Sequence, residues 1–131
     1  MDLSALNGAT TLLEAVSRLL DEAVKAATDS RRERGCMVAI GMLDCQPDHT
    51  ALARGMTTRR NVLINGIAMK LQCWTSPDRA AALARYLSAV LQGLSVQARD
   101  GATMSELQLV AAQVVTGLAA QEALPQIAAT R

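Results

Sequence analysis

Phenylalanine is missing from this chain, and tryptophan, tyrosine and histidine occur once each. Half of the residues are nevertheless apolar, so a core has to be assembled from Leu, Ala, Val and Met, a palette that favours helix over sheet. Charge of one sign is lacking too. Thirteen Lys and Arg against twelve Asp and Glu leave a formal net charge of +1, which supplies no field with which this chain alone would hold a polyanion. No apolar run approaches the roughly 18 residues that cross a bilayer, and Met1-Asp2-Leu3 lacks the basic start of a signal peptide. The expectation is a cytoplasmic protein that does not enter a membrane. Cys36, Cys45 and Cys73 are odd in number and lack C-x-x-C spacing, which argues against a disulfide framework or a zinc knuckle. Reduced, mostly buried thiols are expected.

Catalytic signatures are equally sparse. There is no glycine-rich phosphate loop, no H-E-x-x-H and no G-x-S-x-G. His49 clusters with Asp44, Cys45 and Asp48 around Pro47, but carboxylates at a helix end usually serve the helix dipole, so capping accounts for them better than a metal. No catalytic residue, metal or cofactor is therefore assigned, and an enzyme is not expected.

The stretch from Ser76 to Leu107 is the most informative. Ser76-Pro77 reads as N-cap and first helical residue, Asp100-Gly101 as a left-handed stop, and Thr103-x-x-Glu106 as a capping box opening the next helix. Two antiparallel helices on a short loop follow. At about 100° per residue, Leu83, Leu87, Val90, Leu91, Leu94 and Ala98 share the face of the first that meets its own core. Ala82, Tyr86, Ala89, Gly93 and Val96 form a second apolar stripe, leaving only Arg85, Ser88, Gln92, Ser95 and Arg99 for water. That polar stripe is too narrow for a one-sided surface helix. The small residues would let another backbone approach, and a mid-helix glycine costs about 1 kcal/mol against alanine. A second chain is expected to pack there.

The remaining segments also read as helix. An amphipathic helix carries Leu6, Ala9, Leu13, Val16, Leu20, Ala23, Val24 and Ala27 on one face, with Leu12 and Leu19 beside them. It begins at the Thr11-x-x-Glu14 box, with Asn7-Gly8 a turn, or runs back to Ser4. Arg18 with Glu22 and Asp21 with Lys25 are its expected i,i+4 pairs. After a polar loop, Asp29 to Gly35, the uncharged run Cys36 to Leu43 suits a short buried helix, although periodicity alone also allows a buried strand. Pro47 or Asp48 opens a long helix to about Gln72, with Leu52, Met56, Leu63, Ile67 and Leu71 inward. The last helix runs from Met104 to about Ala120, aligning Leu107, Val110, Ala111, Val114, Val115 and Leu118, and the tail frays after Leu124-Pro125. Residues 1–131 thus form one all-α domain, a bundle of about five helices without linker or repeat.

Pocket candidates follow from side-chain type. Met37, Ile40, Met56, Met69, Trp74 and Tyr86 suit an irregular cavity because methionines adapt to it and a polar-tipped aromatic can orient a ligand. Ordinary core packing is the default for each. Arg59 and Arg60 interrupt the inner face of the long helix. They either snorkel to water or meet an acidic ligand group.

Several of these features together resemble the C-terminal regulatory domain of the tetracycline-repressor (TetR) family of bacterial transcription regulators. The carriers are the amphipathic helix ending in a basic loop, Gly35-Cys36 before the uncharged run, and Pro47-Asp48 before the long helix. Most specific is the pattern from Leu87 through Leu91-Gln92-Gly93-Leu94, Val96 and Ala98-Arg99 to Gly101. The resemblance covers nearly the whole chain, although the stretch between Leu71 and Ser76 is short for the family. It implies a domain that binds a small-molecule effector among its helices and forms a homodimer through its last two, which make a four-helix interface. Val110, Val114 and Leu118 would then join Ala82, Tyr86, Ala89, Gly93 and Val96 at that interface. It also implies that operator DNA is read by an N-terminal helix-turn-helix. Nothing before Ser4 encodes one, so that part is expected to be absent and nucleic acid is not a partner of this chain alone. The alternative is a helical protein–protein interaction module with no sensing role.

Overall fold

Every helix whose first turn is read above from a hydroxyl starts on that hydroxyl. The computed structural model describes residues 3–36 and 49–124. Among these it shows a 3-10 turn at Leu3–Leu6 and four α-helices: α1 (Leu12–Thr28), α2 (Thr50–Leu71), α3 (Pro77–Arg99) and α4 (Met104–Ala123). No strand occurs among the described residues, and the all-α class holds. Most of the uncharged run, from Met37 on, lies outside the described residues, as do Asp44, Cys45, Pro47 and Asp48.

Thr11, Ser76 and Thr103 each accept the amide three residues on, from Glu14, Arg79 and Glu106. At Thr103 the box is reciprocal, the Glu106 carboxylate accepting the Thr103 amide at 2.7 Å and its hydroxyl at 2.8 Å. At α1 the carboxylate reaches one residue further. Glu14 accepts from the amide and hydroxyl of Thr10, at 2.8 and 2.9 Å, rather than from Thr11. Gly101, at φ +107°, ends α3 in the left-handed region as expected. Gly8 does the same in the turn before α1 at φ +77°.

The core is built from leucine, alanine and valine. Leu6, Leu19, Leu20, Ile67, Leu71, Leu87, Leu94 and Leu107 are fully buried. Helix α3 is its spine: α2 packs along one side, α1 along another, and α4 leans more onto α1 than onto α3. The 3-10 turn is seated on α1 and α2. The Leu3 side chain lies where a Cβ on Gly66 would meet it at 3.0 Å, and Lys70 donates to Asn7 Oδ1 at 2.6 Å.

Three expectations need correction. Leu52, read as inward, is 61% exposed, because α2 reaches the core only along its C-terminal half, where Ile67 and Leu71 are buried. On α1 the ion pairs are Arg18–Glu14 at 2.5 Å and Lys25–Glu22 at 3.2 Å, not Arg18–Glu22 and Asp21–Lys25. Arg18 is drawn toward the N-terminal end because it also donates to the Asn7 carbonyl at 3.0 Å. Cys73, expected to be buried, is exposed, and Cys36 is half-buried.

The two capping carboxylates make the helix starts sensitive to acid. Hydrogen bonds from the Thr10 and Thr103 amides hold Glu14 and Glu106 below their ordinary value of 4.5. A carboxylate depressed on folding contributes stability that is complete above its unfolded value and fades as pH falls through the folded one. Thermal melts should therefore hold near neutrality and decline below about pH 4.5, and Glu106→Gln should flatten part of that decline. Thr103→Ala should cost about 1 kcal/mol at pH 7, measured by denaturant titration.

Candidate functional site

The outer side of α3 is apolar and open. Inward, Ala80, Leu83, Ala84, Leu87, Leu91, Leu94 and Ala98 are buried. Outward, Ala82, Ala89 and Gly93 are exposed, with Tyr86 at 50% and Val96 at 42%. Ser88 and Ser95, expected to face water, are instead buried. Ser95 achieves this by donating its hydroxyl to the Leu91 carbonyl at 2.8 Å, which satisfies it within its own helix. The polar stripe is thus narrower still than its residue types suggest.

Because α4 leans toward α1, a groove of about 330 Å³ opens between α3 and α4. Arg79, Ala82, Leu83 and Tyr86 line one wall, and Gly117, Leu118 and Gln121 the other. An ion pair between Arg79 and Glu122 bridges the helices at this end. A Cβ at Gly93 or Gly117 would meet no atom within 4 Å. Packing inside the chain thus gives no reason for either glycine, although each lowers helix stability. Of the other residues read toward this interface, Val110 is half-buried, while Val114 and Leu118 are buried in the chain's own core. Met104 and Leu109 are exposed apolar side chains of α4 that the wheel of α3 could not signal.

Among the described residues the pocket candidates stand at separate places on α2, the α2–α3 turn and α3. Met56 is half-buried on α2, and Met69 is 72% exposed on the same helix. Arg59 is exposed, whereas Arg60 is half-buried and donates to Thr57 Oγ1 at 3.1 Å. Trp74 packs against the core at the α2–α3 turn. Tyr86 lines the α3–α4 groove. Met37 and Ile40 lie outside the described residues. His49 is the exposed N-cap of α2 and makes no side-chain cap bond. Among the described residues no three His, Cys, Asp or Glu side chains group as a metal site would require, and no helix is long and apolar enough to cross a membrane.

A larger hollow, about 420 Å³, lies where sequence reasoning placed only a solvated connector. Its walls are Ala23 and Ala26 of α1 and Leu91, Leu94 and Ser95 of α3, roofed by Arg32, Glu33, Gly35 and Cys36. Asp29 holds this loop in shape. It accepts the Arg31 amide at 3.0 Å and two bonds from the Arg31 guanidinium, each 3.0 Å, and that guanidinium, with the amide, draws the carboxyl down to about 2. Arg34 then donates to the Ala102 carbonyl, tying the loop to the α3–α4 turn. The only sequence signal was a run of alanines on the last turns of α1, which is also what an ordinary close-packed helix shows.

No family model matches the chain, and no curated protein matches it. Its fold does match two solved structures of the TetR family transcriptional regulator CifR. Both are cysteine mutants of that regulator, one with two substitutions and the other with three, and both are in complex with a 26-base-pair double-strand operator DNA. Each aligns with a TM-score of 0.78 and 26% identity over 94% of this chain. The chain spans 64% of the length of those proteins.

Gly93→Ala tests whether the chain itself needs the glycine. In dilute solution it should raise stability by up to about 1 kcal/mol, because the new methyl enters open space. A loss measured by denaturant titration there would show a neighbour within the chain that the geometry does not.

Proposed function

Since the chain belongs to the TetR family, the family of the regulator whose fold it shares in two solved structures, we propose that it is the ligand-sensing and dimerisation part of a transcription repressor. The observation that carries this reading is the unpaired apolar side of α3, with Tyr86 and Val96 half open beside Ala82, Ala89 and Gly93. An exposed apolar stripe of this kind marks an interaction surface rather than a solvated one. A second copy supplies the same stripe, and two α3–α4 pairs around a twofold axis close four helices upon themselves. The two glycines allow the backbones to approach, which is a use for them that the single chain does not provide.

Operator DNA is the partner of the solved relatives. With a net charge of +1, this chain would reach DNA only through an attached helix-turn-helix, and its own part is to set the spacing of two such readers. An effector controls that spacing if it binds the two arrangements with different affinity. The function is regulatory, with no catalytic step.

Sedimentation velocity at micromolar concentration tests the pairing. The wild-type chain should sediment at twice its 13.8 kDa. Gly93→Leu should sediment as a monomer with unchanged helical circular dichroism, because its branched side chain is accommodated in the free chain but not against a mate. A wild-type monomer, or a Gly93→Leu dimer as tight as wild type, would refute the pairing. A monomer that holds a foreign protein stoichiometrically would indicate the interaction-module alternative.

A further inference from the structure

We propose that the hollow between α1, the 32–36 loop and α3 is the effector site, and that it takes a small, uncharged, mainly apolar molecule carrying a hydrogen-bond donor. The assignment rests on the regulator reading above and adds the place and the chemical class. At about 420 Å³ the hollow falls within the roughly 300–1,000 Å³ of small-molecule sites. It is distinct from the positions that residue type alone suggested, since Met56, Arg59, Arg60, Met69 and Trp74 do not line it.

The lining determines the class. The walls are alkyl: Ala23, Leu91 and Leu94 are each at least nine-tenths buried, and Ala26 stands at the mouth. The buried polar residue among the lining is Ser95. Its hydroxyl proton is committed to the Leu91 carbonyl at 2.8 Å, so its oxygen has only lone pairs to offer a ligand and selects a donor, as in an alcohol, a phenol or an amide. All the charged lining residues, Glu22, Arg32 and Glu33, are exposed at the rim. Glu22 is already held by Lys25 at 3.2 Å, and Arg32 lies 3.9 Å from Asp29. An ionic ligand would lose hydration on entering and find no buried counter-charge. An anion would in addition meet two carboxylates against one guanidinium at the rim. Occupancy has a route to the dimer face, because the roof loop is bonded through Arg34 to the carbonyl of Ala102, in the turn joining α3 to α4.

The test uses the full chain and three probes of one ring system: 2-naphthol, 2-methoxynaphthalene and naphthalene-2-sulfonate, titrated by probe fluorescence. 2-Naphthol should bind most tightly and the sulfonate at least about tenfold more weakly. Ser95→Ala should weaken 2-naphthol about fivefold and leave 2-methoxynaphthalene unchanged. Ala26→Phe, at an exposed position, should fill the mouth and abolish binding of both while circular dichroism stays that of the wild type. Binding of the sulfonate as tight as that of 2-naphthol, or binding undiminished by Ala26→Phe, would overturn the assignment. Binding lost in Ala26→Phe by a chain that sediments as a monomer at every concentration would uphold the site and refute the dimeric-regulator reading.

Discussion

One helix has more apolar girth than its own chain can cover, and the rest of the molecule is arranged around that constraint. Nine side chains of α3 are buried within the chain, from Ala80 to Ala98. Burying each large one is worth about 1.5–3 kcal/mol, so α2, α1 and α4 are drawn to that side. Once they are placed, the side bearing Tyr86 and Val96 has no further element of the described chain against it. The helix that organises the core is therefore also the helix that carries the exposed apolar stripe. Anything that shifts its packing inside has a direct mechanical route to its contacts outside.

The lean of α4 toward α1 is the second determinant. It leaves α3 and α4 joined by a tight turn at Gly101 but parted at the other end, where Arg79 and Glu122 bridge the gap. The groove and the hollow lie at different levels of α3, the groove against α4 from Arg79 to Tyr86 and the hollow against α1 from Leu91 to Ser95. Between them, Leu87 is fully buried. A close-packed leucine spine thus runs from the hollow to the groove, and close-packed cores transmit displacement instead of absorbing it.

How far the sequence was legible depended on whether the deciding contacts were local. Ser76-Pro77, Gly101 and the Thr103/Glu106 box all read correctly, because a cap is completed within four residues, whereas at Thr11 the sequence left two starts open and did not place Glu14 on Thr10. On the inward face of α3, Leu83, Leu87, Leu91, Leu94 and Ala98 are buried as read, while Val90 is half-buried and Ala80 and Ala84, not read there, are buried. Burial of Ser88 and Ser95 did not show in the sequence, and at Ser95 the reason is a hydroxyl satisfied by its own helix, of which residue type says nothing. Leu52 misled for a related reason: periodicity identifies a face but not how far along it the neighbouring helix extends. The site was the least legible part. A cavity is missing volume, and two alanines opposite two leucines carry no mark in sequence to tell a hollow from close packing. The contact of Arg34 with Ala102 spans 68 residues and leaves no periodic signal at all.

The central claim, that a second copy of this chain covers the outer side of α3, is tested most directly at Tyr86, the only tyrosine present. In the single chain its side is half open, at 50% exposure. Its nitration by tetranitromethane, followed by absorbance across a dilution series, should be slow at micromolar concentration and accelerate on dilution as the pair dissociates. A rate that is the same at every concentration and equal to that of free tyrosine amide would contradict the account.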